Sequence, residues 1–336
     1  MSVKATVIDF KGEKAVELVA GKYRAIVAPF LGSNVIRLQD TEEDLEILRY
    51  EDELTVEDLK KQPEVYGLPT LYLPNRLKGG KLKVSDATYQ LPVNDPLGNH
   101  IHGFLHHREH EIVSVGTEGS GAVVKTAYTY DEKDEFFKYL PVSFKAEFTF
   151  LLNDSGLHMS FTMTNTSDKQ LPYGVCNHTA MKAPFTKDGD PFKTHLYVPV
   201  GEKWEIDKHC IPTGECLPIT NHDRQYLTGS QIPVKQVIDN DVYFAEEGTY
   251  DGDPFYGTVT VDDETGNTVV YEVCRDFKFW IIWNDLGEKG YYCPEPMTWI
   301  IDAPNQPIPA DESGYRELAP GESHTLTERI YTVKRK

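Results

Sequence analysis

The residues with the chemistry to act on a small molecule fall in five short segments. In Gly290-Tyr291-Tyr292-Cys293-Pro294-Glu295-Pro296-Met297-Thr298-Trp299, a single carboxylate is held between two prolines among aromatic residues. Lost solvent and lost conformational freedom both suit a positioned base, so Glu295 is the acid least expected to be idle surface. His178, in Pro172-Tyr173-Gly174-Val175-Cys176-Asn177-His178-Thr179, stands alone, and an isolated histidine reads first as a satisfied structural residue. The cluster His100, His102, His106, His107 and His110 is dense enough to demand a choice between metal site, acid/base site and chance. Its H-x-H pair, His100 and His102, would put both side chains on one face of a strand, suited to metal ligation or proton transfer, while His106, His107 and His110 read as solvated. A cupin-like metal site would add a nearby glutamate and a later histidine, but Glu109 is poorly spaced for that pattern, which ranks acid/base use above metal.

Two segments remain. Gly67-Leu68-Pro69-Thr70-Leu71-Tyr72-Leu73-Pro74-Asn75-Arg76 reads as an irregular loop that delivers Asn75 and Arg76 at its end. Arg76 is either a surface ion-pair residue or a fixed donor fork for adjacent hydroxyls. In Ile238-Asp239-Asn240-Asp241-Val242-Tyr243-Phe244, Asp239 and Asp241 read at first as solvated turn acids ahead of an aromatic strand.

The elements that must position these groups are strands. Leu157 to Thr164 alternates apolar and polar residues strictly, and Asn153-Asp154-Ser155-Gly156 joins it to Phe148–Leu152 as a hairpin. A second hairpin pairs Thr258–Val261 with Thr268–Tyr271 around a polar turn holding Gly266. Further strands are expected at Phe277 to Trp283 and Thr325 to Val333, and one short helix from Thr55 as N-cap through Lys61. With no βαβ rhythm, short-period repeat or low-complexity linker, residues 1–336 read as a single all-β domain, a large antiparallel β-sandwich with a few short helices.

Composition narrows the partners. Apolar residues make up 40% of the 336-residue chain and aromatic residues 11%, enough for a real core. The formal charge of -19 argues against general affinity for nucleic acid or anionic lipid. No signal-like N-terminal run or membrane-length apolar stretch is present, and the five cysteines are scattered with no CxxC pair, so a cytoplasmic protein with reduced thiols is expected.

Taken in order from about Gly67 to Asn305, the five segments resemble the aldose 1-epimerase (galactose mutarotase) family: an L-x-P-x-x-N-R type loop, an N-x-x-H-G box at Asn99–Gly103, Asn177-His178-Thr179, a D-x-x-F type segment and a late E-P-x-T box. The resemblance implies a galactose mutarotase-like β-sandwich with an open sugar groove and no cofactor. It implies Glu295 as general base, His178 as general acid and His102 assisting at the ring oxygen and anomeric centre. Arg76, with Asn75, and an acid at Asp241 or Asp239 would hold hydroxyls, and an alternative register puts Asn240 at the acid's position. No metal is implied. The expected activity is interconversion of the α and β anomers of a free aldose by a monomer or homodimer. Two departures bear on the sugar: Phe104 follows Gly103 where many members have a second glycine, and Ala180-Met181-Lys182 follows Thr179 in place of Tyr-Phe-Asn. The alternatives are a hexose-6-phosphate 1-epimerase, with Lys78, Lys81 and Lys83 as a local phosphate-binding cluster, a non-catalytic sugar-binding protein and, third, a cupin-like metal enzyme.

Overall fold

In the structure, a computed structural model that describes residues 3–334, the alternating segments form two eight-stranded sheets and a five-stranded N-terminal one. The first large sheet runs Glu111–Glu118, Gly121–Tyr130, Phe144–Asn153, Gly156–Asn165, Ser323–Lys334, Asn267–Val273, Gly257–Asp262 and Thr194–Tyr197, each neighbouring pair antiparallel. The hairpin foreseen at Asn153–Gly156 closes at that pair of residues. On its inner face Phe144, Ala146, Phe148, Phe150 and Leu152 meet Leu157, Met159, Phe161 and Met163, all buried. Each large apolar side chain so buried contributes roughly 1.5–3 kcal/mol, which is what fixes the register: a slip by one residue would turn this whole set to water.

The second large sheet is ordered Pro212–Leu217, Val200–Ile206, Asp241–Ala245, Phe279–Trp283, Tyr291–Met297, Cys176–Asn177 and Thr70–Leu71, with Met181–Lys182 also paired to Tyr291–Met297. The two large sheets stack face to face. Tyr271 and Trp280 meet across the layer with ring centroids 6.2 Å apart, and Asn177 on the second sheet and Thr179 in the connection after it hydrogen-bond Glu328 and Tyr271 on the first. The N-terminal sheet, Lys4–Phe10 to Leu45–Glu46, packs on the part of the first sheet between Glu111 and Asn165.

Helix is scarce, with three α-helices among the described residues. The one anticipated from sequence, Val56–Lys61, carries a capping box in which Thr55 and Asp58 satisfy each other's backbone N–H groups. Asn221–Thr228, with the same box built from Thr220 and Asp223, and Ala310–Ser313 were not anticipated. Both are so short that no apolar period announces them.

Candidate active site

Glu295 sits on the strand Tyr291–Met297, every residue of which is buried. On one side this strand pairs with Phe279–Trp283, Glu295 standing opposite Ile281. On the other it pairs only at its ends, Tyr291 and Tyr292 with Lys182 and Met181, and Met297 with Cys176. Between those points the ladder is interrupted, a setting that tolerates Pro294 and Pro296, which have no N–H to give. The chain opposite the gap instead bonds outward, the His178 N–H to the Pro69 carbonyl and the Ala180 N–H to that of Gly67. This detour carries the imidazole of His178 to Glu295, Nε2 lying 3.2 Å from Oε1.

The loop after Gly67 brings up the second half of the site. Asn75 adopts a left-handed conformation (φ 46°), and its carbonyl receives the N–H of His102. Arg76 then opens the strand Arg76–Lys78, paired with Asn99–Ile101. Asp302 clamps that strand: its N–H bonds the Arg76 carbonyl and its carboxylate takes the Lys78 N–H. The Arg76 Nε donates to Asp95 at 2.9 Å, leaving Nη1 loosely shared at 3.5 Å between Asn75 and Asn240. Asn99 also donates to Asp95, so this asparagine of the N-x-x-H-G box serves the arginine's partner. At Gly103 (φ 62°) an added Cβ would lie 1.9 Å from the Tyr72 carbonyl oxygen, so only glycine lets this turn approach the Tyr72 backbone.

These groups converge. A cleft of about 470 Å³ is lined by Asn75, Arg76, His102, His178, Asp239, Asn240 and Glu295, together with Gln62, Glu64, Val65, Pro96, Ile101, Trp283, Asp285 and Lys289. That volume suits a monosaccharide-sized ligand, with Trp283, Ile101, Val65 and Pro96 as an apolar wall. The His102 and His178 rings meet edge to face at 5.3 Å, and Trp283 lies 5.8 Å from His178. Within the protein the Nδ1 of His102 has no hydrogen-bond partner.

Burial sets the electrostatics. Loss of solvent raises the Glu295 carboxyl well above the ordinary 4.5, partly opposed by the Arg76 charge and a weak donor, the Cys176 thiol at 3.9 Å. Loss of solvent pushes His178 the other way, from 6.5 to about 4, and His102 well below 6.5, the latter helped by the charges of His178 and Arg76. Neither Glu295 nor His178 is favoured as a charged group on its own, so between them the pair holds a single proton.

Several expectations from sequence need correction. His100 and His102 do not share a face: the strand ends at Ile101, and His102 turns left-handed (φ 65°), which breaks the period-two rule. His100 is buried against Phe136, its Nδ1 donating to the Pro92 carbonyl, so no H-x-H metal pair forms. His106 and His110 are buried, not solvated, because the turn Pro29–Leu31 covers them; His110 stacks on Tyr128 and bonds Ser33. Asp241 lies outside the cleft. It begins the strand Asp241–Ala245 on the same face as Tyr243, and is held by His222 and Lys203, each at 2.6 Å; the preceding Asp239 and Asn240 reach the cleft instead. Lys78, Lys81 and Lys83 are exposed and do not line it either. Phe104 is a core residue, stacked on Phe136 at 4.5 Å. Asp95, Glu64 and Trp283 carry no signal in the sequence, because each is a common surface or core type until the fold places it.

The sequence matches the aldose 1-epimerase family over residues 14–331. The chain belongs to that family. Among solved structures it is similar to a galactose mutarotase-like protein from Clostridium acetobutylicum, at 29% identity and a TM-score of 0.97 over 99% of both chains. It shares its fold with the galactose 1-epimerase from Lactobacillus acidophilus (14% identity, TM-score 0.73, all of both chains). The aldose epimerase homologue from C. elegans is a further match, at 17% identity and a TM-score of 0.72, over 99% of this chain and 100% of that one. Within an aldose 1-epimerase fold, then, Glu295 and His178 stand in contact in the lining of one cleft.

Proposed function

We propose that this protein is an aldose 1-epimerase that interconverts the α and β anomers of a free, unphosphorylated aldose. The observation that carries the reading is the buried Glu295–His178 contact of 3.2 Å inside the cleft. Anomer exchange needs a base to take the O1 proton while an acid protonates the ring oxygen, so that the ring opens to an aldehyde and recloses on its other face. With Glu295 ionised and His178 protonated, Glu295 accepts the O1 proton as His178 delivers its own to the ring oxygen. The pair is left as a neutral carboxylic acid and a neutral imidazole, the charge distribution that burial favours. Reclosure runs the transfers backward, and the net proton count never changes. His102, which lines the cleft, hydrogen-bonds an oxygen near the anomeric centre. Arg76, Asn75, Asn240 and Asp239, which line the cleft, hold hydroxyls.

The charges lining the cleft favour an uncharged sugar over a sugar phosphate. Its acids are Glu64, Asp239, Asp285 and Glu295; its cations are Arg76 and Lys289, engaged by Asp95 and Asp285 respectively. No cation cluster awaits a phosphate. Polarimetry on freshly dissolved α-anomers of several free aldoses and of aldose 6-phosphates tests this. Accelerated mutarotation of a free aldose is expected; acceleration confined to a phosphorylated sugar would contradict the preference, and none with any aldose would leave a sugar-binding protein.

A further inference from the structure

Beside the cleft lies a second group of donors that the proton-transfer chemistry does not use. Two short 3₁₀ turns, Pro63–Val65 and Leu105–His107, pack against each other. From them Glu64, His106 and His107 each present one ligand atom within 4.8 Å of the others. The His106 and His107 rings lie 4.1 Å apart, centroid to centroid. His106 is only 2% exposed, yet its Nδ1 has no hydrogen-bond partner. Buried polar nitrogens are nearly always paired, so an orphan here points to a missing partner. Glu64 is half-buried, and among the described residues no cationic side chain forms an ion pair with it. A carboxylate removed from water without a counter-charge is costly unless something positive sits beside it.

We propose that Glu64, His106 and His107 form a binding site for a divalent transition-metal ion of the zinc class at the edge of the cleft. Two imidazole nitrogens and one carboxylate oxygen form a donor set that zinc accepts, and three protein ligands leave a position open for water or a hydroxyl. The ion supplies the charge that Glu64 lacks. Glu64 also lines the cleft, so an ion held there would stand at the cleft's edge.

Two other donor clusters do not compete well. In His222, Asp223 and Asp241, the Lys203 ammonium already bridges the two carboxylates, at 3.3 and 2.6 Å. His178, Cys293 and Glu295 make up the third, which includes the proton-transfer pair itself. The inference does not depend on how the cleft is used, and its test does not read sugar turnover.

The test is titration of the untagged, chelator-treated full chain with Co²⁺ alone, followed by visible absorption and then by displacement with Zn²⁺. Uptake of a single equivalent with nitrogen/oxygen-type d–d bands is expected. His107→Ala and Glu64→Gln, each removing a direct ligand, should weaken binding by more than the roughly 10–100-fold that loss of an outer-layer partner causes. His107 is exposed, so its variant should fold, and far-ultraviolet circular dichroism checks that it does. Absence of uptake, or uptake undiminished in His107→Ala, would overturn the proposal. So would a sulfur-to-cobalt charge-transfer band abolished by Cys293→Ser, which would place the ion on the third cluster.

Discussion

At the residue scale, the opposed shifts of Glu295 and His178 make pH the most telling variable. Burial holds His178 at about 4 and raises Glu295 above 4.5, so the pair is singly protonated in the interval between the two. Below about pH 4 the pair takes a second proton and lacks a base; above the raised carboxyl value it has no proton to give. The acid limb of kcat/KM should therefore lie near pH 4 rather than near the 6.5 of a free imidazole. An acid limb at about 6.5 would show a solvated His178 titrating on its own. The neighbouring aspartates should separate by role. Asp239→Asn, in the cleft, should raise KM by about tenfold, the value of one hydrogen bond of roughly 1.4 kcal/mol, with kcat little changed. Asp241→Asn should leave KM alone and lower stability by on the order of 1–3 kcal/mol, because it loosens the bonds from His222 and Lys203. Steady-state polarimetry and urea unfolding distinguish the two, and a raised KM in the Asp241 variant would return that residue to the substrate.

At the scale of elements, the residues flanking His178 are held by the opposite sheet. Glu328, on Ser323–Lys334, accepts hydrogen bonds from Asn177 and Tyr271, and Tyr271 also receives the Thr179 hydroxyl. Asn177 and Thr179, the two residues flanking His178, are thereby pinned to the layer beneath. Burial raises Glu328 from 4.5 to about 8. A carboxyl raised on folding stabilises most below its unfolded value, and that contribution fades as pH climbs from 4.5 towards 8. Glu328→Gln, which does not titrate, should lose its stability deficit relative to wild type over that window, at roughly 1.4 kcal/mol per pH unit. Urea unfolding of both proteins at several pH values measures this, and a difference that stays constant with pH would refute it. Little of this network was legible in the sequence. The hairpin strands announced themselves because inner and outer residues alternate along Leu157–Thr164, and the box order singled out Glu295 and His178. Glu328 looked like any polar residue in a C-terminal strand, since nothing local reveals that the other sheet lies above it. The H-x-H pair misled for a related reason: periodicity assumes a strand that continues, and this one stops at Ile101.

At the scale of the whole molecule, the sandwich gathers groups more than two hundred residues apart, from Arg76 to Glu295, into one cleft. Arg76 arrives on a short strand clamped by Asp302, His178 on a detour at an interrupted ladder, and Glu295 on a buried strand whose two prolines fit the same interruption. The acidic balance of the chain, -19, continues into the cleft and is compatible with a neutral sugar. The proposed activity requires one base and one acid in contact, and the most direct measurement is polarimetry of a freshly dissolved α-aldose with wild type and Glu295→Gln. The substitution keeps the side chain's shape and removes the base. Mutarotation by wild type with kcat lowered by roughly 10²–10⁴-fold in the variant, at little changed sugar affinity, is the predicted result; an undiminished kcat in Glu295→Gln would contradict it.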